Sequence, residues 1–174
     1  MPISQGNPDA FGAVFDAHFP EILRYIGRRV GADAAEDLAA ETFLIAFKRR
    51  AVFDASLGEV RPWLYGIATN LVRRHRRTEL RYYRALMRAG PPLDDGGHDE
   101  RVVDRLGAEV AVGEVARLLA GLPAGERDVV LLVAYGRLSY GEVARALGVA
   151  EGTVASRLSR ARTKMREALG ADAI

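Results

Sequence analysis

Five residues near the C-terminus carry groups suited to base edges and phosphates: Thr153, Ser156, Arg157, Arg160 and Lys164. They share one side of a helix, while Val154, Leu158, Ala161, Met165 and Leu169 recur at helical spacing along another. An arginine fork matches the acceptor edge of guanine, a hydroxyl serves base or phosphate, and a helix N-terminus attracts phosphate. The bland alternative is a solvated basic face. The preceding residues favour DNA. Leu138 to Val149 reads as a short helix in which Ser139 and Glu142 form a capping box and Gly148 supplies a left-handed stop. A few residues separate it from the next helix, the spacing of a helix-turn-helix, so the stretch from about Leu122 to Leu169 reads double-stranded DNA.

Two further charge clusters have opposite signs. Asp33, Glu36, Asp37 and Glu41 have no basic neighbour, and Asp37 and Glu41 lie one turn apart. The helix dipole accounts for the first three acids but poorly for Glu41, two turns in. A metal site and a docking surface for a basic partner also fit the acids, although His18, His75 and His98 are too scattered to support a metal. Arg73, Arg74, Arg76, Arg77, Arg81, Arg84 and Arg88 form the second cluster, with Glu79 its lone acid. Such density calls for a polyanion. Trp63, Tyr65, Tyr82 and Tyr83 flank it, as a stacking platform for single-stranded nucleic acid would, although Trp63 also fits a core position beside Ile67.

Helices must position these groups, because apolar residues recur at three- and four-residue spacing almost throughout. A first helix is expected from about Asp9 to Val30, with Phe11, Val14, Phe15, His18, Ile22, Tyr25 and Ile26 along one side. A second is expected over Ala34–Arg50, capped by Asp33 and Glu36 and burying Leu38, Phe43, Ile45, Ala46 and Phe47. Phe53–Val60 reads as a loop, and a third helix opens near Pro62 and continues past Arg77. Gly90 to His98 reads as a linker. Four more helical patterns follow, at about Arg101–Gly121, Ala124–Tyr135, Tyr140–Leu147 and Gly152–Leu169.

The 174 residues are 49% hydrophobic and 28% charged, with a net charge of +2, which describes a globular chain. The absence of cysteine excludes disulfides and thiolate zinc sites. No stretch approaches the roughly 18 apolar residues of a membrane span and no signal peptide is visible, so a cytoplasmic protein is expected. No histidine–carboxylate cluster, glycine-rich phosphate loop or nucleophile elbow suggests an enzyme. Asp94, Asp95, His98 and Asp99 could ligate a metal, but they fall in the Gly/Pro linker.

Taken in order, Ala35-Glu36-Asp37-Leu38-Ala39-Ala40-Glu41-Thr42-Phe43, Trp63-Leu64-Tyr65-Gly66-Ile67-Ala68-Thr69-Asn70, Leu122-Pro123, Ser139 to Ala144 and Gly152 to Arg157 resemble one family. The chain is similar, from about Phe11 to Leu169, to bacterial RNA polymerase sigma factors of the extracytoplasmic-function (ECF) group. The resemblance implies an all-α fold of two small helical domains: region 2 over residues 9–89 and region 4 over 109–170, joined by a flexible linker at 90–108. It implies an initiation factor that needs no cofactor or metal and acts with the beta and beta-prime subunits of core RNA polymerase. Asp37, Glu41, Thr42 and Phe43 would dock on the clamp helices of the largest subunit. Phe53 with its loop, together with Asn70, would capture a base flipped from the minus-ten element, and Arg73, Arg74 and Arg77 would hold the nearby backbone. The last helix would read the minus-thirty-five duplex. Family members are commonly restrained by an anti-sigma factor. Ala155 and Ser159 depart from the family pattern and shorten the reach of the last helix. A free-standing dimeric repressor would explain the C-terminal block, but it leaves the acidic helix and the arginine run without a role.

Overall fold

The computed structural model describes residues 8–53, 59–89 and 102–171. Among them are eight α-helices, one 3-10 turn at Arg50–Val52, and no strand. The helices are α1 (Pro8–Val30), α2 (Ala32–Arg49), α3 (Val60–Arg74), α4 (Arg76–Ala89), α5 (Val102–Gly121), α6 (Ala124–Ala134), α7 (Tyr140–Leu147) and α8 (Glu151–Ala171).

In the N-terminal half, α1 packs against α2, α3 and α4. Ile22, Tyr25 and Ile26 meet Leu38, Ala39, Leu64, Ala68 and Val72, all buried. Each large aliphatic side chain removed from water there contributes about 1.5–3 kcal/mol. Phe11 lies edge-on to Phe43 and Phe47, with centroids 6.4 and 5.4 Å apart. Phe15, on the same side of α1 as Phe11, remains 39% exposed and stacks on Phe19 at the rim. In the C-terminal half, Val129, Leu132, Val143, Val154, Leu158 and Ala161 are buried where α6, α7 and α8 converge, and α5 packs along α4.

Three boundaries differ from the sequence expectation. The capping box of Asp33 and Glu36 does not form. Gly31, at φ 86°, turns the chain between α1 and α2, and α2 begins at Ala32 without a side-chain cap. The third helix stops at Arg74 instead of passing Arg77. His75 leaves helical geometry (φ −93°, ψ 25°), and the new direction lets α4 bury Glu79 and Tyr83. Residues 102–108, given to the linker in the domain division, belong to α5, in keeping with the helical pattern expected at about Arg101–Gly121. The rest of that linker (90–101, including Asp94, Asp95, His98 and Asp99) and Asp54–Gly58 of the expected base-capturing loop lie outside the described residues. No helix among the described residues is long and apolar enough to cross a membrane.

Candidate polymerase and nucleic-acid interfaces

The acidic face of α2 is sharper than its sequence motif. Thr42 is buried, its hydroxyl donating to the Leu38 carbonyl at 2.7 Å. Phe43 is also buried, with Phe15 and Phe19 rings at 5.0 and 5.6 Å. Neither side chain can meet a partner directly. They fix the helix so that Glu36, Asp37, Ala40 and Glu41 face solvent, with Leu44 in line with them at 52% exposure. Sequence reasoning missed Leu44, although an apolar residue three positions after Glu41 on the polar side of the helix was a visible signal. Among the described residues no group of acids or histidines is placed to hold a metal ion.

The expected minus-ten residues gather around α3. Phe53 and Trp63 are half-buried and lie ring against ring, centroids 4.8 Å apart. Asn70 is exposed on the last turns of α3. Its Oδ1 lies 3.4 Å from Arg73 Nη1, while Arg73 Nε donates to Asp128 Oδ2 at 2.6 Å. Arg74, Arg76, Arg77, Arg81, Arg84 and Arg88 are all exposed, giving α3 and α4 a continuous cationic margin. The stacking-platform reading needs correction for two of its aromatics. Tyr65 and Tyr83 are buried, and the Tyr65 ring meets Tyr25 edge-on at 5.0 Å. Burial, reinforced by the Glu21 carboxylate, pushes the Tyr65 phenol up to about 12. Burial likewise raises Tyr25, whose hydroxyl bonds Thr69 at 2.8 Å.

The helix-turn-helix forms from local chemistry. Ser139 Oγ accepts from the Glu142 amide at 3.3 Å, and the Glu142 carboxylate accepts from the Ser139 amide at 2.7 Å. The Ser139 hydroxyl, which also donates to Glu142 Oε2 at 2.7 Å, and then the Ser139 amide hold the Glu142 carboxyl below its ordinary value. Gly148 ends α7 at φ 64° and ψ 40°, in the left-handed region. Val154, Leu158 and Ala161 seat α8 in the core, and Met165 packs at its edge. Leu169 is left exposed.

The five expected reading residues do not share one environment. Thr153 is half-buried, and Ser156 is exposed with its hydroxyl donating to the Thr153 carbonyl at 3.0 Å. Arg157 is half-buried against Gly125 at the start of α6. Arg160 Nε lies 3.6 Å from Glu126, and Lys164 Nζ lies 2.9 Å from the same carboxylate. The face of α8 turned fully to solvent carries Ala155, Ser156, Ser159, Arg162 and Arg166. The two arginines were not singled out in the sequence.

Between the halves lies a buried ionic network. Arg29, on α1, donates through Nε to Glu79 at 2.7 Å and through Nη2 to Asp128 at 2.6 Å. Arg127 Nη1 reaches the other oxygen of Glu79 at 2.9 Å. Through Nε and Nη2 the same guanidinium caps α5, donating to the carbonyls of Leu119 and Leu122 at 2.7 and 2.8 Å. Each charge is paired, as burial demands.

Comparison with known proteins places these features in one lineage. A family model for Sigma-70 region 2 matches residues 14–82, and one for Sigma-70 region 4 matches residues 113–165. The chain is 34% identical over 173 residues to the ECF RNA polymerase sigma factor BldN of Streptomyces coelicolor, covering 97% of this chain and 63% of that one. It is 32% identical over 177 residues to the ECF RNA polymerase sigma factor SigC of Mycobacterium tuberculosis, covering 99% of this chain and 88% of SigC. Among solved structures, CnrH in complex with the cytosolic domain of CnrY superposes with a TM-score of 0.67 at 26% identity, covering 96% of this chain and 92% of CnrH. The two helical units, their order and these likenesses agree: the chain belongs to the ECF group of RNA polymerase sigma factors.

Proposed function

We propose that this protein acts in the cytoplasm as a transcription initiation factor that binds core RNA polymerase, directs it to a specific set of promoters and helps to open the DNA. It performs no catalysis itself; the polymerase supplies the chemistry. The observation that carries this reading is the presence, on one chain, of an acidic solvent-facing α2 and a sharply capped helix-turn-helix. A repressor needs only the second.

In this reading residues 9–89 dock on polymerase and handle the minus-ten element, while 109–170 handle the minus-thirty-five element. Asp37 and Glu41 meet basic groups on the beta-prime clamp helices, with Leu44 beside them on the same face, and Thr42 and Phe43 act from beneath as supports. Asn70 and the Phe53–Trp63 pair receive an extruded base, whose unstacking costs a few kcal/mol that the pocket must offset. Arg74 and Arg77 hold phosphates beside it, joined by Arg73 once it leaves Asp128. Thr153, Ser156 and Arg157 lie toward the N-terminal end of α8, where a recognition helix enters the major groove. Arg160 and Lys164 serve as backbone contacts further along. An anti-sigma protein restrains the factor, as the cytosolic domain of CnrY is found on CnrH.

Run-off transcription with core polymerase and a promoter library, with and without the protein, tests the proposal. New, discrete start sites are expected only when the protein is present. Failure to bind core or to direct any start site defeats it.

A further inference from the structure

A cavity of about 400 Å³ opens beside α1, the first turns of α3 and the turn that follows α6. Four of its nine lining residues are arginines, Arg24, Arg28, Arg61 and Arg137, against one acid, Glu21. That acid is already engaged, by His18 Nδ1 at 2.6 Å, Arg61 Nε at 2.9 Å and the Tyr65 hydroxyl at 3.3 Å. Arg61 is engaged as well, its Nη2 donating to the Gly136 carbonyl at 2.6 Å. Arg24, Arg28 and Arg137 are exposed and, among the described residues, pair with no carboxylate. Arg28 rests on the Tyr135 ring, 4.4 Å from its centroid. Arg137 holds φ 49°, in the left-handed region where glycine is at ease and a residue with a side chain is strained.

The geometry points to an anion-binding site for a small molecule that carries two linked phosphates, held by Arg24, Arg28 and Arg137. Three unneutralised guanidiniums around one concavity repel each other until an anion joins them. Their forks match phosphate oxygens in pairs, and Arg24 and Arg28, one turn apart on α1, can grip neighbouring phosphates. A terminal phosphate carries about 1.5–2 negative charges at pH 7, fewer than the three cations. A second, linked phosphate completes the balance. The cavity falls in the size range of small-molecule sites, roughly 300–1,000 Å³, which leaves room for an ester group beside the phosphates. Promoter DNA fits the site poorly. At about 100° per residue, Asn70 lies about 180° around α3 from Arg61, so the cavity opens away from the side proposed to capture a base. No residue of α2 or α8 lines it.

Isothermal titration calorimetry of the full-length protein with sodium pyrophosphate, a nucleoside diphosphate and inorganic phosphate tests the site. Pyrophosphate and the nucleoside diphosphate should each bind at a single site, about tenfold more tightly than phosphate. A nucleoside diphosphate that binds more tightly than pyrophosphate identifies a phosphate ester as the ligand, and equal binding identifies the free anion. Either result supports the site. Arg24→Gln, Arg28→Gln and Arg137→Gly should each weaken binding about tenfold, the worth of one charge-assisted hydrogen bond. Arg137→Gly also relieves the left-handed backbone, so without ligand it should melt at about the temperature of the unaltered protein. That separates loss of the site from loss of the fold. Arg49→Gln removes an exposed charge outside the cavity and should leave binding unchanged. Pyrophosphate that binds no more tightly than phosphate, or that binds the three cavity variants as it binds the unaltered protein, overturns the proposal. So does an equal loss in Arg49→Gln, which reduces the effect to net charge. A non-specific duplex that binds the three variants less well, while pyrophosphate does not bind at all, gives the cavity to nucleic acid and overturns the proposal too.

Discussion

Lys164 Nζ lies 3.0 and 2.9 Å from the two carboxylate oxygens of Glu126, tying α8 to the start of α6. Arg160 leans on the same carboxylate at 3.6 Å. Both cations are well exposed, so the pairings add little to stability, at most about 1 kcal/mol. Their larger effect is on DNA, because a cation shared with Glu126 is only partly available to phosphate. Glu126→Gln should therefore leave the melting temperature nearly unchanged while steepening the salt dependence of duplex binding. Each further phosphate neutralised adds about 0.9 to the slope of log K against log salt. An unchanged slope would show that these two cations do not face the duplex.

Leu44 offers a test of the proposed docking face that does not rest on charge. Its side chain is half exposed and lies in line with Asp37 and Glu41. Leu44→Ser should cost the free protein less than about 0.5 kcal/mol, as surface substitutions usually do. It should nonetheless weaken binding to core polymerase several-fold in a fluorescence titration. Reversing Asp37 and Glu41 to lysine should abolish binding, and full binding by both variants would remove α2 from the interface.

The α7 capping box sets a pH-dependent stability. Ser139→Ala should cost about 1 kcal/mol near neutral pH. The Glu142 carboxyl is held below its ordinary value of 4.5, so its contribution is complete above that pH. It is lost as pH falls through the lower folded value. The difference between Ser139→Ala and the unaltered protein in urea unfolding should accordingly shrink in acid. A constant difference would place the cost elsewhere.

Tyr65 sets a limit at the alkaline end. Burial and the neighbouring Glu21 raise its phenol from 10.0 to about 12. Between those values the folded chain keeps a proton that the unfolded chain has lost, so stability falls as pH rises through the window. Tyr65→Phe should make that decline shallower in thermal melts. Tyr25 and Tyr83, also raised, should preserve part of it. An identical decline would show that Tyr65 ionises freely in the fold.

What could be read from sequence was what is chemically local. Ser139, Glu142 and Gly148 fall within ten residues and mark both ends of α7, where the structure places them. The end of α3 was not legible, because nothing about His75 itself stops a helix. The bend there serves Glu79, whose partner Arg29 lies 50 residues away. Asp128 was equally silent, with its partners 99 and 55 residues distant. Glu79 did leave a trace as the lone acid in a run of arginines. For the site, residue type identified the acidic and basic clusters. Only packing showed that Thr42 and Phe43 face inward, that Leu44 faces outward, and that Arg160 and Lys164 share a carboxylate.

Gly31 is the whole connection between α1 and α2, and at φ 86° it has the Tyr82 ring 3.0 Å from where a side chain would begin. A joint of one residue has no slack. The angle at which α2 leaves α1 is fixed by this one residue, and that angle sets where Asp37 and Glu41 point while Phe43 sits in its aromatic nest. The heading of the acidic face is therefore set upstream of the acids, by the length of a single peptide joint.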